Sequence, residues 1–105
     1  MVVTVFRTHL RPGLDEAAFN QLGAIGARMY ELATAMPGFI SYKDFAAADG
    51  ESVSIVEFAS EETLRAWREH PEHLEAQRQA RERFFASYQI HVCTPIRSYS
   101  FPTPT

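Results

Sequence analysis

The chain has 105 residues, of which 46% are hydrophobic and 22% charged, and its formal net charge at pH 7 is −3. This length suits one domain with a modest core, and the balanced charge excludes the broad basic field of a nucleic-acid-binding protein. No apolar stretch approaches the roughly 20 residues that a membrane span requires. Since a lone Cys93 cannot form an internal disulfide and no signal-peptide pattern opens the chain, we expect a cytoplasmic protein.

The first predicted element is a strand over Val2–Leu10, because this segment is rich in β-branched and aromatic residues. Alternation places on one face Val2, Thr4, Phe6 and Thr8, and on the other Val3, Val5, Arg7 and His9. Both faces begin apolar, so we expect the strand to be covered on both sides.

An amphipathic helix follows, and Asp15 is its predicted N-cap. Apolar residues recur at alternating spacings of four and three and define one inward stripe, formed by Ala18, Leu22, Ile25, Met29, Leu32 and Met36. The Pro37-Gly38 pair ends the helix. Gly23 and Gly26 lie inside it and cost roughly 1 kcal/mol each relative to alanine. We expect a close approach of the helix to the sheet to offset that cost.

Three further strands are predicted. Residues 39–47 and 52–58 are runs rich in β-branched and aromatic residues, and the Asp49-Gly50 pair between them predicts a hairpin. In residues 88–99 apolar and polar side chains alternate, which predicts the last strand. Pro95 within this run predicts an edge strand or a bulge.

The rarest residue types are concentrated in residues 60–85, which contain the only tryptophan and two of the four histidines. Ser60 is a predicted N-cap, and Trp67 faces inward from the helix that follows. Pro71 removes a backbone donor and disfavours helical geometry at His70. We therefore predict one short helix to about residue 69 and a second helix that starts at Pro71. The inward stripe of the second helix is formed by His73, Gln77, Ala80 and Phe84.

The order of the elements predicts an α+β fold of the ferredoxin-like βαββαβ type, a four-stranded antiparallel sheet with two helices on one face. We assign residues 1–100 to this single domain and residues 101–105, with their two prolines, to a loose tail. The other sheet face would expose Val3, Val5 and Ile55. An apolar face of this kind predicts a homodimer packed sheet to sheet.

Three runs of sequence together resemble the antibiotic biosynthesis monooxygenase (ABM) family, whose members are dimeric α+β barrels. The runs are MPGFISYKDF at residues 36–45, SVSIVEFASEETLRAWREHPEH at residues 52–73 and IHVC at residues 90–93. The most specific part is the W-x-x-H-P-E-H block from Trp67 to His73. The resemblance implies a pocket between the helices and the sheet, with one such pocket in each protomer of a homodimer.

The ABM family includes cofactor-independent monooxygenases that act on polycyclic aromatic substrates, and it also includes haem-degrading enzymes. The first branch implies deprotonation of a phenol and electron transfer from its ring to dioxygen in an apolar pocket, without a cofactor or metal. The haem-degrading branch requires an asparagine on the first strand and a histidine ten residues after the tryptophan. Phe6 and Gln77 occupy these positions, which disfavours haem, and His73 is the alternative haem ligand one turn earlier.

We therefore predict a cofactor-independent monooxygenase that oxidises an aromatic or phenolic small molecule with dioxygen. His73 is the predicted base and His70 the alternative, because a neutral histidine accepts a proton near neutral pH. The predicted substrate contacts are Trp67, Tyr42, Arg7, Gln77 and Phe84. Several of these residues also have a structural interpretation. Trp67 suits a core anchor, Tyr42 a half-buried sheet position, and Arg7 an ion-pair cluster with His9 and Glu57 at the dimer interface.

Three other classes of function stay open at this point. They are a non-catalytic ligand-binding or stress-associated module of the same fold, a haem-binding protein, and an isomerase or decarboxylase-like lyase. A metal site is not predicted, since His70 and His73 have no third ligand spaced nearby. Cys93 is interpreted as a structural thiol, because a nucleophile would need a partner that the sequence does not reveal, although His91 lies two residues away on the same face.

Overall fold

The fold is described from a computed structural model over residues 1–103. The last two residues of the predicted tail, Pro104 and Thr105, lie outside the described residues. In chain order the elements are β1 (Val2–Leu10), α1 (Glu16–Ala35), β2 (Phe39–Ala46), β3 (Ser52–Phe58), α2 (Glu61–Arg68), α3 (Pro71–Gln79), a π-helical segment (Ala80–Phe84) and β4 (Phe85–Cys93). The strands form one antiparallel sheet in the order β2-β3-β1-β4, which confirms the predicted ferredoxin-like α+β fold.

The central strand β1 shows how the two faces of the sheet differ. Thr4 pairs with Val56 of β3 and with Val92 of β4, and residues that pair across antiparallel strands point to the same face. Thr4 and Val56 are buried, and Val56 belongs to the core beneath the helices. The alternate residues Val3 and Val5 therefore lie on the opposite face of the sheet.

The core fills the space between the helices and one face of the sheet. Its buried residues are Met29, Leu32, Ala33, Val56, Phe58, Leu64 and Trp67. Burial of Met29 and Leu32 confirms the predicted stripe of α1. The Asp15 carboxylate caps this helix by accepting a 2.8 Å hydrogen bond from the backbone amide of Ala18, as the sequence predicts.

The prediction that Gly23 and Gly26 bring α1 close to the sheet is wrong. Both glycines are exposed, and a Cβ atom at either position would have no neighbour within 4 Å. They point to solvent because the apolar stripe, not the glycine positions, faces the sheet. The close approach occurs instead at Gly38, where φ is +82° and a Cβ would lie 2.7 Å from the Thr63 side chain.

The predicted break between the two later helices is confirmed at His70-Pro71. Ser60 begins α2 with a capping box, in which its hydroxyl accepts from the Thr63 amide at 3.2 Å and its own amide donates to the Thr63 hydroxyl at 3.1 Å. The second helix is shorter than predicted. It loses α-helical geometry after Gln79 and continues as the π-helical segment Ala80–Phe84.

The fourth strand is shifted relative to its prediction, since β4 covers Phe85–Cys93 rather than residues 88–99. It is an edge strand, as Pro95 indicates, and it ends two residues before that proline, which has no backbone amide to donate. Over the described residues, none of the helices is both long and apolar enough to span a membrane.

Candidate functional site

Trp67 is the residue that connects the sheet to α3. Its indole stacks on Phe58 of β3, with ring centroids 5.7 Å apart, and meets the Tyr42 ring of β2 edge-on at 6.0 Å. The indole also meets the His73 ring, at a centroid distance of 4.4 Å and an interplanar angle of 78°. Only 5% of Trp67 is exposed, so the side chain belongs to the core and forms a layer behind the surface of the site.

His73 and Gln77 lie one turn apart on α3 and form a hydrogen-bonded pair. The Gln77 amide nitrogen Nε2 lies 2.8 Å from His73 Nδ1 and 3.4 Å from the backbone carbonyl oxygen of Arg68. A carbonyl oxygen can only accept, so the group that faces it is the amide –NH₂ of Gln77. That –NH₂ donates to His73 Nδ1 as well, which places the proton of the neutral imidazole on Nε2. The Gln77 carbonyl oxygen remains available to a ligand.

Burial lowers the pKa of His73 to about 4, and the positive charge of Arg68 acts in the same direction. The imidazole is therefore neutral at neutral pH. With Nδ1 accepting from Gln77 and Nε2 carrying the proton, His73 has no free lone pair for a substrate proton. The geometry makes His73 a residue that orients Gln77.

His70, the alternative predicted base, is the N-cap of α3. Its Nδ1 atom accepts a 3.1 Å hydrogen bond from the backbone amide of Glu72, and Pro71 occupies the first helical position. The break that isolates His70 from the preceding helix thus gives its side chain a capping role. His70 and His73 have different partners and do not act on one group.

Tyr42 lies on the helix side of β2, beside a polar group that the sequence did not predict. Its ring meets Tyr30 of α1 edge-on at 5.3 Å, and burial raises the pKa of its hydroxyl, with the charge of Asp44 adding to the effect. The Ser54 hydroxyl donates to Asp44 at 2.5 Å across the β2–β3 hairpin. Asp44 and Ser54 are direct cross-strand partners. The register of the Asp49-Gly50 hairpin is the signal that could have identified this pair.

A cleft of about 340 Å³ opens beside Gln77, between α2, α3 and the edge strand β4. Its residues are Glu61, Leu64, Arg65, Arg68, Glu69, Leu74, Gln77 and Val92. Leu64 also belongs to the core, so the cleft lies next to the buried layer that contains Trp67. Of the predicted site residues, Gln77 alone lines this cleft directly.

Phe84, another predicted contact, lies elsewhere. It is 1% exposed and lines a different cavity of about 410 Å³ at the start of α1, together with Asp15, Ala17, Ala18, Gln21 and Arg83. The Arg83 guanidinium covers its ring at 4.9 Å. The sequence predicts Phe84 and Gln77 on one helical stripe, but the π-helical segment lies between them and they border separate hollows.

Arg7 is a predicted substrate contact, and the structure places it on the opposite face of the sheet from Thr4. It forms a bidentate ion pair with Glu51, at 3.0 and 3.1 Å, while Glu57 accepts a hydrogen bond from Ser41. The predicted partner Glu57 is thus replaced by Glu51. Because side chains alternate along a strand, Arg7 cannot reach the cleft between the helices.

The residues of the site do not suit a metal or haem. Across residues 1–103, no group of three histidine, cysteine, aspartate or glutamate side chains is arranged to bind a metal ion. A haem ligand at His73 would bind through Nε2 and carry its proton on Nδ1. The Gln77 amide already donates to Nδ1, so Gln77 would have to turn and break its bond to the Arg68 carbonyl.

Comparison with known proteins agrees with this architecture. A family model described as antibiotic biosynthesis monooxygenase matches residues 1–79. The chain is 30% identical over 83 residues to "Uncharacterized protein YqjZ" of Bacillus subtilis (strain 168), which covers 79% of this chain and 73% of that protein. The structure of Rv0793 from Mycobacterium tuberculosis superposes with a TM-score of 0.78 and 27% identity, over 94% of this chain and 98% of the other. SnoaB from Streptomyces nogalater, a cofactor-independent oxygenase, superposes with a TM-score of 0.75 and 16% identity over 97% of each chain.

Proposed function

Because this chain belongs to the antibiotic biosynthesis monooxygenase family, we propose that it is a cofactor-independent monooxygenase that oxidises an aromatic or phenolic small molecule with dioxygen. The observation that carries the proposal is the Gln77 carboxamide, which two hydrogen bonds hold in one orientation at the edge of a partly apolar cleft. Similarity in fold to the cofactor-independent oxygenase SnoaB supports the same reaction class.

The proposed reaction needs no bound oxidant other than dioxygen. An electron-rich ring transfers an electron to dioxygen, and the two radicals combine at the ring carbon to form a peroxide. The carbon keeps one oxygen atom as a carbonyl, and the other leaves as water with one hydrogen from that carbon and one from the substrate hydroxyl, which itself becomes a second carbonyl. A hydrogen bond from the substrate hydroxyl to an acceptor raises the electron density of the ring and so assists the first step.

We assign that acceptor to the carbonyl oxygen Oε1 of Gln77, which has no partner among residues 1–103. His73 keeps Gln77 in position, and Trp67 supports the imidazole from behind at 4.4 Å. His73 thus has a positioning role in place of the general base predicted from the sequence. The apolar side chains Leu64, Leu74 and Val92 would hold the ring.

The direct test is oxygen uptake with a panel of anthrones and hydroquinones, using protein free of metal and flavin. We expect turnover by the wild type and a loss of at least about tenfold in kcat/KM for Gln77→Leu. His70→Gln is the matched control, because it alters a histidine outside the cleft, and it should retain activity. Uptake that is equal in Gln77→Leu and the wild type would contradict the site. Tight binding of these compounds without oxygen uptake would instead favour a non-catalytic binding module.

We further propose that the protein is a homodimer that packs through the sheet face opposite the helices. Val3 and Val5 of β1 and Ile55 of β3 are neighbours on that face, and each is only half-buried. Pairing two such faces would remove their apolar surface from water. Light scattering should give the mass of a dimer for the wild type and of a monomer for Ile55→Glu. A monomeric wild type at micromolar concentration would contradict the proposal.

The cytoplasm is the proposed location. Cys93 is exposed and is the only cysteine in the chain, a usage that suits a reducing compartment. Cell fractionation that recovers the protein outside the cytoplasm would overturn this assignment.

A further inference from the structure

Arg68, the last residue of α2, differs from every other arginine in the described part of the chain. All the others are exposed, whereas Arg68 is half-buried. Over residues 1–103 no carboxylate lies within 4.0 Å of its guanidinium, and no hydrogen bond from that group is formed. A guanidinium has five donors and always carries its charge, so partial burial without a partner is costly unless a ligand supplies the acceptors.

The neighbouring arginine on the same helix provides the contrast. Arg65 also borders the cleft, but it is exposed and pairs with Glu61 at 3.6 Å. The fourth charged residue of the cleft, Glu69, is exposed at the C-cap of α2. Of the two positive charges at the cleft, therefore, Arg68 is the one that is not neutralised by a carboxylate of residues 1–103.

The position of Arg68 ties this charge to the hydrogen-bonding group of the site. Its backbone carbonyl accepts from Gln77, and its side chain lines the same cleft as Gln77. Leu64, Leu74 and Val92 supply the apolar part of that cleft. A flat ring held on these apolar residues would have a polar acceptor on one side and a guanidinium on another.

We propose that Arg68 binds a carboxylate on the substrate, so that the cleft selects aromatic acids over neutral aromatic molecules of the same shape. A carboxylate matches the planar fork of one guanidinium through two parallel hydrogen bonds. A phosphate monoester would carry a second charge, and the other cation of the cleft, Arg65, is already paired with Glu61. As a statement about the substrate the inference rests on the proposed function, whereas as a statement about binding it is independent of turnover.

The test measures binding without catalysis. The probes are 2-naphthoate and its neutral isostere 2-naphthamide, titrated calorimetrically into the wild-type protein. We expect the acid to bind at least about tenfold more tightly than the amide, and the preference to weaken as salt is added. Arg68→Gln should remove the preference, and Arg68→Lys should keep part of it, because a lysine retains the charge but not the fork.

Arg65→Gln is the matched control, and it should keep the preference for the acid. Equal affinity of the wild type for the two probes, or no binding of either, would overturn the inference. A loss of the preference in Arg65→Gln as complete as that in Arg68→Gln would overturn it as well. Thermal unfolding of the variants checks that each is folded. Failure of the proposed oxidation would appear differently, as intact selective binding without oxygen uptake.

Discussion

The two short helices α2 and α3 are nearly equal in length, at 8 and 9 residues, yet they are held in the fold in different ways. The helix α2 buries Leu64 and Trp67 and begins with a capping box. The helix α3 has no fully buried residue between Pro71 and Gln79, although His73 and Ala76 are half-buried, and it is capped by the imidazole of His70. Packing therefore fixes α2, whereas polar contacts and the chain on either side position α3.

This difference suits the division of roles in the candidate site. Gln77, which would contact the ligand, lies on the loosely packed helix α3. Trp67, which packs against the His73 ring that holds Gln77, lies on the well-packed helix α2. Elements that admit ligands come from the less stable parts of a fold, because binding requires some freedom to open. The exposed ion pair between Arg28 and Glu72, at 2.7 Å, attaches α3 to α1 and contributes little to stability.

The largest expected effect is a loss of stability caused by substitution of Trp67 on α2. Trp67→Ala would leave a cavity between β3 and α3, and we expect it to lower the free energy of unfolding by about 3–5 kcal/mol. Trp67→Phe keeps most of the buried ring and should cost much less. Urea denaturation measures both, with Leu74→Ala on α3 as the contrast. Leu74 is exposed, and Leu74→Ala should change the free energy of unfolding by no more than about 0.5 kcal/mol. A loss at Leu74 equal to that at Trp67 would show that α3 is packed against a further surface.

An intermediate effect is expected from the protonation of His73. Its pKa is lowered from 6.5 to about 4 in the folded protein, so between these values the unfolded chain binds more protons. The contribution of the neutral His73 to the free energy of unfolding should therefore be fully present above pH 6.5 and be lost as the pH decreases toward 4. The loss is on the order of 2 kcal/mol once partial exposure is allowed for.

The measurement is the free energy of unfolding as a function of pH for the wild type and His73→Gln. The variant should lack this component, while His70→Gln should keep it. Carboxyls such as that of Glu72, whose pKa is lowered mainly by its hydrogen bond to Arg28, contribute equally in the wild type and His73→Gln. Parallel curves for the wild type and His73→Gln would contradict a neutral, half-buried His73.

The smallest effect concerns the cap of α2. Ser60→Ala removes the hydroxyl that accepts from the Thr63 amide, and we expect a loss of about 1 kcal/mol. Ser60→Asp retains a capping acceptor and should recover most of that stability. Chemical denaturation compares the two variants. If Ser60→Ala is neutral, the packing of Leu64 and Trp67 fixes α2 without help from its cap.

Much of the fold could be predicted from local chemistry. The break at Pro71, the stripe on α1 and the hairpin at Asp49-Gly50 each follow from a backbone or periodicity rule that acts over a few residues. The bounds of β4 could not be predicted in this way. Phe85 joins the strand because it pairs with Leu10, a residue far away in the chain, and no local signal records that pairing.

The candidate site shows the same division more sharply. The sequence pattern places His73 and Gln77 on one stripe of α3, but it predicts His73 as a base. The proposed positioning role of His73 depends on a hydrogen bond to Gln77 and on burial, and burial is a property of the surroundings. Arg7 is a predicted contact because of its residue type, and strand pairing places it on the other face of the sheet, beside Glu51.

The sequence by itself determined the order of the elements, the inward stripes and the break at His70-Pro71, because these depend on contacts between near neighbours. The tertiary structure alone decided three other points: that Trp67 is a supporting core residue, that Gln77 and not a histidine faces the cleft, and that Arg68 is the unpaired cation beside it among residues 1–103. Each of these points depends on which distant residues come into contact and on how much water those contacts exclude. The spacing of residues along one helix encodes neither the contacts nor the exclusion of water.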